Sequence, residues 1–322
     1  MCIRDRLIFL FLAGALLTAC SDDEAPAADP KAYPLIIEAK VYTNYDTQQE
    51  GTTWTKPEDK IGVYVLKSGS SEVVSPHANL SYSPTPTSYD DYFQPDQVDA
   101  IPYFPTTGED VWDVAIYYPR QETFETEGMV PLKLDKQGDM KASSLLYGRA
   151  SSLTKENTVA SMRLAPALSR LVFYFRAEGD ITAEQLDNVT VDLNGLPTIG
   201  SFNVVEGRFS ADTESVASFR MRTSSSTDAT VARTTEAFVM PLGSTQGYVA
   251  TINANKLPDA LKKKTYTIGS SIGSFERGMQ YVFDVTVSNT GYTIESSSSP
   301  IAGWEEDLSL IHISEPTRLA LI

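Results

Sequence analysis

The feature that most constrains this chain is a series of short, β-branched and aromatic runs separated by turn residues. They fall at residues 35–42, 61–66, 111–118, 171–175, 189–193, 237–240, 248–252 and 281–287. Runs of this length and make-up read as strands. Alternation of apolar and polar positions is clear at 189–193 and 281–287, where one face is expected to be buried and the other wet. No long amphipathic helix interrupts the series. The helix candidates are short, at 182–186 and 257–262. This order of elements predicts an all-β protein built from antiparallel sandwiches, with no βαβ unit.

Polar stretches divide the series. Residues 151–157 follow a compact aromatic block and mark the expected boundary between an N-terminal sandwich at 33–157 and a C-terminal one at 158–307. Residues 223–230 and 296–299 read as polar loops. Each half has room for a sandwich of about seven strands. With 42% hydrophobic residues there is material for real cores, and the formal net charge of −16 repels nucleic acid.

The N-terminus carries a second signal. The apolar stretch from Leu7 to Leu17 is too short to span a bilayer and runs directly into Thr18-Ala19-Cys20. An apolar region, small residues and then a cysteine is the order of a bacterial lipoprotein signal. Residues 1–19 are therefore expected to be a signal peptide and Cys20 the lipid acceptor. The acidic, Ala- and Pro-rich residues 20–32 read as a flexible tether. Met1-Cys2-Ile3-Arg4-Asp5-Arg6 and Leu308-Ser309-Leu310-Ile311-His312-Ile313 are what one short DNA sequence encodes when read on its two strands. That sequence resembles a transposon-end adaptor, so residues 1–6 and 308–322 are set aside from fold reasoning. Cys20 is then the one remaining cysteine, and no disulfide framework is available.

Catalytic material is scarce. His77 is the only histidine outside the set-aside ends, in the turn-like Ser75-Pro76-His77-Ala78-Asn79. A proton relay needs such a residue, but a polar loop histidine accounts for it, and no catalytic residue is assigned. Asp90, Asp91, Asp96 and Asp99 could offer oxygens to calcium, yet they lack the spacing of a calcium loop. They read as an acidic loop, and no metal or cofactor is expected. Asn79-Leu80-Ser81 and Asn188-Val189-Thr190 are incidental matches to the glycosylation pattern. The Lys262-Lys263-Lys264 run reads as a turn, and Gly195 and Gly200 as turn glycines. Tyr82, Tyr89, Tyr92, Phe93, Tyr103 and Phe104 cluster near a Pro/Ser/Thr-rich stretch. They could form sugar-binding platforms, and packing beneath a long loop is the preferred reading.

A set of ordered motifs spans nearly the whole chain after Cys20. It comprises Trp54 with Glu58-Asp59-Lys60-Ile61-Gly62-Val63-Tyr64, then Phe93, Ile101-Pro102-Tyr103-Phe104-Pro105 and Asp113-Val114-Ala115-Ile116-Tyr117-Tyr118-Pro119. Leu145-Leu146-Tyr147-Gly148, Leu168-Ser169-Arg170-Leu171, Gly200-Ser201-Phe202 and Ile301 to Trp304 follow in order. The set resembles the fimbrillin family. The resemblance implies two tandem transthyretin-like β-sandwich domains in a surface lipoprotein, serving as a structural or adhesive component of a fimbrium. Asp59, Ile61 and Tyr64 would be framework. Partners would be other fimbrial subunits, joined by donor-strand exchange, and the outer membrane, reached through the lipid on Cys20. A host or glycan ligand would complete the set. The segment lost or exchanged would be the first strand, 35–42.

The chain departs from the family pattern in places. No arginine lies between Arg6 and Arg120, so the arginine-directed cut of polymerising members has no target there. Glu58 stands where the family has glycine, Ser144 where it has aspartate, and the histidine usual before the Leu168 motif is absent. The alternative reading is a glycan-binding outer-membrane lipoprotein of a polysaccharide-uptake system, which would share the anchor and the sandwiches.

Overall fold

A computed structural model of the chain describes residues 33–41, 60–85, 92–137, 145–224 and 228–301. Cys20, the tether, Trp54, Asp59, Tyr89, Asp90, Asp91, Trp304 and both adaptor-like ends lie outside the described residues. In the N-terminal half the strands are β1 (Tyr33–Pro34), β2 (Ile36–Val41), β3 (Ile61–Lys67), β4 (Leu80–Pro84), β5 (Tyr92–Pro95), β6 (Tyr103–Phe104), β7 (Trp112–Tyr118), β8 (Met129–Lys133), β9 (Leu146–Leu153) and β10 (Val159–Pro166). In the C-terminal half they are β11 (Ser169–Ala177), β12 (Thr190–Asn194), β13 (Ile199–Asn203), β14 (Arg208–Ala211), β15 (Phe219–Arg220), β16 (Arg222–Ser224), β17 (Arg233–Val239), β18 (Val249–Asn253), β19 (Lys263–Thr267), β20 (Met279–Ser288) and β21 (Gly291–Pro300). One short helix, α1 (Ala183–Leu186), lies between β11 and β12. Its start is fixed by Gln185, whose Oε1 accepts the backbone N–H of Thr182 at 2.9 Å.

The all-β expectation is met, and in the first half the strands close into a ring. Seven strands follow one another around a ring in the order β10-β2-β5-β4-β3-β7-β9. β3 and β7 are apolar at nearly every position because both of their faces are covered. One face looks into the ring. The other lies under a three-stranded sheet, β14-β13-β8, whose Val130, Phe202 and Val204 belong to the same buried cluster. β8 comes from the first half and β13 from the second, paired from Ile199↔Lys133 to Asn203↔Met129. The halves therefore share one hydrogen-bonded sheet.

The second half is a sandwich of a five-stranded sheet, β16-β17-β11-β20-β21, on a four-stranded one, β15-β12-β18-β19. Leu171, Phe173, Phe175, Val191, Ile252 and Phe283 fill the space between them. Phe173 stacks on Phe283 with ring centroids 4.5 Å apart. β17 serves both cores, since Ala237 and Val239 face this one while Phe238 and Met240 join the first.

Three expectations are corrected, and the polar stretch at 151–157 is placed. The pairing is not wholly antiparallel: β2 runs parallel to β10 and β11 runs parallel to β20. Long connections separate both pairs, as parallel strands require. The division after Asn157 falls in the turn between β9 and β10. Residues 151–153 end β9, and 154–157 form a polar turn closed by reciprocal backbone bonds between Thr154 and Asn157. The passage between the halves is the buried Ala167-Leu168. Of the helix at 257–262 only a single 3-10 turn forms, Asp259–Leu261. Lys263 and Lys264 begin an edge strand, where lysines discourage unwanted pairing, and do not form a turn.

Candidate functional site

β2 is the element whose setting asks for a functional explanation. It fits between two strands that come much later in the chain. On one side Ile36 to Val41 pair in parallel with Val159 to Leu164 of β10. On the other, among the described residues, Ile37↔Phe93 and Glu38↔Tyr92 pair with β5. Two further backbone bonds seat its start: Leu35 N–H donates to Pro102 O at 2.9 Å and Ile36 N–H to Thr158 O at 3.0 Å. Alternation sends Leu35, Ile37 and Ala39 inward, where each is at most 3% exposed. Ala160 and Met162 of β10, the register partners of Ile37 and Ala39, are also buried.

Burying Leu35 and Ile37 stabilises the ring by about 1.5–3 kcal/mol each. The same contacts define what departure of the strand would leave. There would be a slot with apolar pockets at the levels of Leu35, Ile37 and Ala39, walled by the free edges of β10 and β5. Unpaired N–H and C=O groups beside empty pockets are the substrate of β-augmentation.

Glycines in the recurring motifs give the slot its walls. A Cβ on Gly148 would come within 2.8 Å of Leu164 Cδ2 and 3.0 Å of the Arg163 carbonyl, so only glycine lets β9 lie against β10 here. A Cβ on Gly62 would come within 2.1 Å of the Tyr117 ring. Gly195, at φ +86°, is the expected turn glycine, whereas Gly200 lies inside β13. Ile61 and Tyr64 are fully buried framework. The Tyr64 hydroxyl donates to Glu127 Oε1 at 2.7 Å, and burial first and this carboxylate second push its pKa upward.

The aromatic cluster divides. Tyr82, Phe93 and Phe104 are core residues, with Phe104 stacked on Trp112 at 4.0 Å. Tyr92 and Tyr103 stay 41% and 47% exposed, flanking β2 and β1. Packing explains the first three and not the last two.

His77 serves the fold. Its N–H donates to Val74 O, its carbonyl accepts from Val65 N–H, and its ring lies 6.3 Å from that of Trp112. Burial lowers its pKa. Asn79 is occupied internally, its Nδ2 donating to Gln121 O and its Oδ1 accepting from the Tyr117 hydroxyl, both at 2.9 Å.

Asp96 accepts hydrogen bonds from Lys60 Nζ (2.6 Å), Ser81 Oγ (2.7 Å) and Ser83 Oγ (2.5 Å). Burial alone would raise its pKa, but these donors outweigh it and hold the group at about 2. Asp99 is exposed on a single helical turn, Val98–Ala100. Among the described residues no three carboxylates, histidines or cysteines gather to hold a metal.

Asp113, which stands at the head of an aromatic-proline motif, is a structural hub that sequence reasoning missed. It is 3% exposed and accepts from Ser68 Oγ, Gly69 N–H, Arg149 Nη2 and Ser152 N–H at 2.9–3.2 Å. Desolvation would raise its pKa, but Arg149 and the other donors lower it. No local pattern announces this role, because its donors come from the turn after β3 and from β9, distant in sequence.

Comparison with known proteins places this geometry among relatives. Residues 44–304 match the family model described as fimbrillin-like. A Bacteroides uniformis protein named "Putative fimbrium subunit Fim1C" is 25% identical over 303 residues, covering 94% of this chain and 95% of that one. The crystal structure of a "putative cell adhesion protein" from Bacteroides uniformis ATCC 8492 superposes with a TM-score of 0.67 at 21% identity, over 84% of this chain and 99% of the other. The tip fimbrial protein Mfa3 of Porphyromonas gingivalis, truncated at its C-terminus, gives a TM-score of 0.50 at 9% identity, over 84% and 100% of the two chains. At these identities the structures speak for a common fold.

Proposed function

The chain belongs to the fimbrillin-like family, and on that premise we propose that its first strand is the part exchanged when subunits join. It is a fimbrial component, placed at the cell surface and associating with other fimbrial proteins. The observation that carries the exchange reading is the seat of β2. The segment from Leu35 to Ala39 supplies three inward side chains to the core, and its strand lies between β10 and β5, two strands that come much later in the chain. A strand of similar pattern from a neighbouring subunit can take the same pockets without rearranging the rest of the ring. The work done is structural and adhesive, with no catalytic step.

The anchor belongs to the same proposal. Lipid on Cys20 would hold the subunit to the outer membrane, and a tether over 20–32 would reach at most about 45 Å when extended. An arginine-directed cut between β2 and β3, which would free the strand, is not available, since no arginine lies between Arg6 and Arg120. Release of the strand must then use a different protease, or the subunit stays anchored and serves the base of the fimbrium.

The test is to shear intact producing cells and probe the released filaments and the membrane pellet without boiling. A detergent-resistant ladder in the sheared fraction, lacking Cys20, is the expected result for a polymerising subunit. Lipidated monomer confined to the pellet would exclude the shaft role and leave the anchor role.

A further inference from the structure

Four of the eight large apolar side chains exposed among the described residues lie together around the first strand: Ile36, Tyr92, Tyr103 and Val159. Their registers put them on one outer face. Val159 is the direct partner of Ile36 across β10 and β2. Tyr92 is the partner of Glu38, two residues along the same face. Tyr103 is the partner of Pro34, two residues the other way and also exposed. A strand on the outside of a barrel ordinarily turns polar side chains to water. Here Ile36, Tyr92, Tyr103 and Val159 break that rule, set among the polar Glu38, Ser161 and Arg163 of the same face.

We infer that this outer stripe is the docking surface for the body of the neighbouring fimbrial subunit, the one whose strand enters the slot. The inference rests on the exchange reading and extends it from the strand to the domain that carries it. When β2 leaves, Ile36 leaves with it, while Tyr92, Tyr103 and Val159 remain as the rim of the slot. The incoming strand is covalently joined to its own domain, so that domain must come to rest beside this rim. Electrostatics points to the same place. Two chains of formal charge −16 repel over most of their surfaces, and close approach is least opposed where the surface is apolar. Within the paired segment of β2 the stripe contains one acid, Glu38. Covering a patch rimmed by two tyrosines also matches the side chains that dominate protein interfaces.

The test uses the full-length chain with Tyr92→Ser and Tyr103→Ser together, and separately with Val159→Thr, which keeps strand propensity at a single exposed position. Each variant is compared with the parent in two assays. One measures uptake of a synthetic peptide of sequence 33–42 into the protein after its own strand is released. The other measures the detergent-resistant ladder in sheared filaments. Unchanged peptide uptake with an at least tenfold weaker ladder for the double variant supports the inference. Unchanged uptake with an unchanged ladder in both variants overturns it and leaves strand exchange standing. No uptake even by the parent overturns strand exchange and this inference with it. A photocrosslinker at position 103 identifies the occupant directly. An adduct to a second fimbrial subunit supports the inference, whereas an adduct to the chain's own residues 20–32 or to a glycan overturns it.

Discussion

Single residues carry the geometry on which this reading depends. Gly148→Ala is expected to destabilise the fold by about 1–3 kcal/mol, because the added methyl meets a buried leucine and a backbone carbonyl. The urea midpoint of the purified domain measures it, and an unchanged midpoint would mean that β9 and β10 have room to part. Asp96 and Asp113 predict the acid response. Both have folded pKa values below the unfolded 3.8. Each therefore stabilises the fold above pH 3.8, and that contribution is lost as pH falls through the folded value. For Asp96 the loss runs from pH 3.8 down to about 2. Thermal melts between pH 5 and 2 should fall along this window, and Asp113→Asn should flatten the fall. An equally steep decline in that variant would remove Asp113 from the account. Glu236 offers a sharper test. It is 1% exposed, and its two oxygens take Arg170 Nε at 2.9 Å and Arg222 Nη2 at 2.5 Å. Glu236→Ala would leave two cations on the face of β17 without their carboxylate, a loss of about 3–5 kcal/mol.

At the scale of elements, apolar strands were plain in the sequence and polar ones were not. Residues 61–66 and 171–175 announce themselves because both faces of β3 and the middle of β11 are buried. Residues 291–300 hide a ten-residue strand behind a run of serines, since β21 is an edge strand with one face to water. The first strand was legible, but its partner β10 was not. Parallel pairing across most of the first half leaves no local trace of who pairs with whom. A signal did exist in Val159-Ala160-Ser161-Met162-Arg163-Leu164, whose strict alternation is that of a half-buried strand. It was obscured by the neighbouring polar turn, read as a boundary. Tyr92 and Tyr103 were similarly hidden within a cluster whose other described members, Tyr82, Phe93 and Phe104, pack inside. Aromatic composition alone does not say which rings face out.

At the scale of the whole molecule, several ties join the two halves among the described residues. Besides the shared β8–β13 pairing, Gln137 Nε2 donates to Phe238 O at 3.1 Å and its Oε1 accepts from Phe238 N–H at 2.9 Å, so a side chain completes the backbone pairing of β17. Arg149 Nη1 donates to Val205 O at 3.1 Å, and the Arg277 guanidinium lies 4.7 Å from the centre of the Tyr147 ring. Calorimetry should therefore show one unfolding transition, and Gln137→Ala should lower or split it; two transitions in the parent would mean independent halves. The central claim is that the first strand must leave its slot for subunits to join. Glu38 and Ser161 are register partners on the outer face of β2 and β10, at a separation that a disulfide can bridge. The decisive measurement is ladder formation by the Glu38→Cys/Ser161→Cys variant, oxidised and then reduced. The account predicts monomer when the strand is locked and a restored ladder after reduction; an equal ladder in the oxidised state would contradict it.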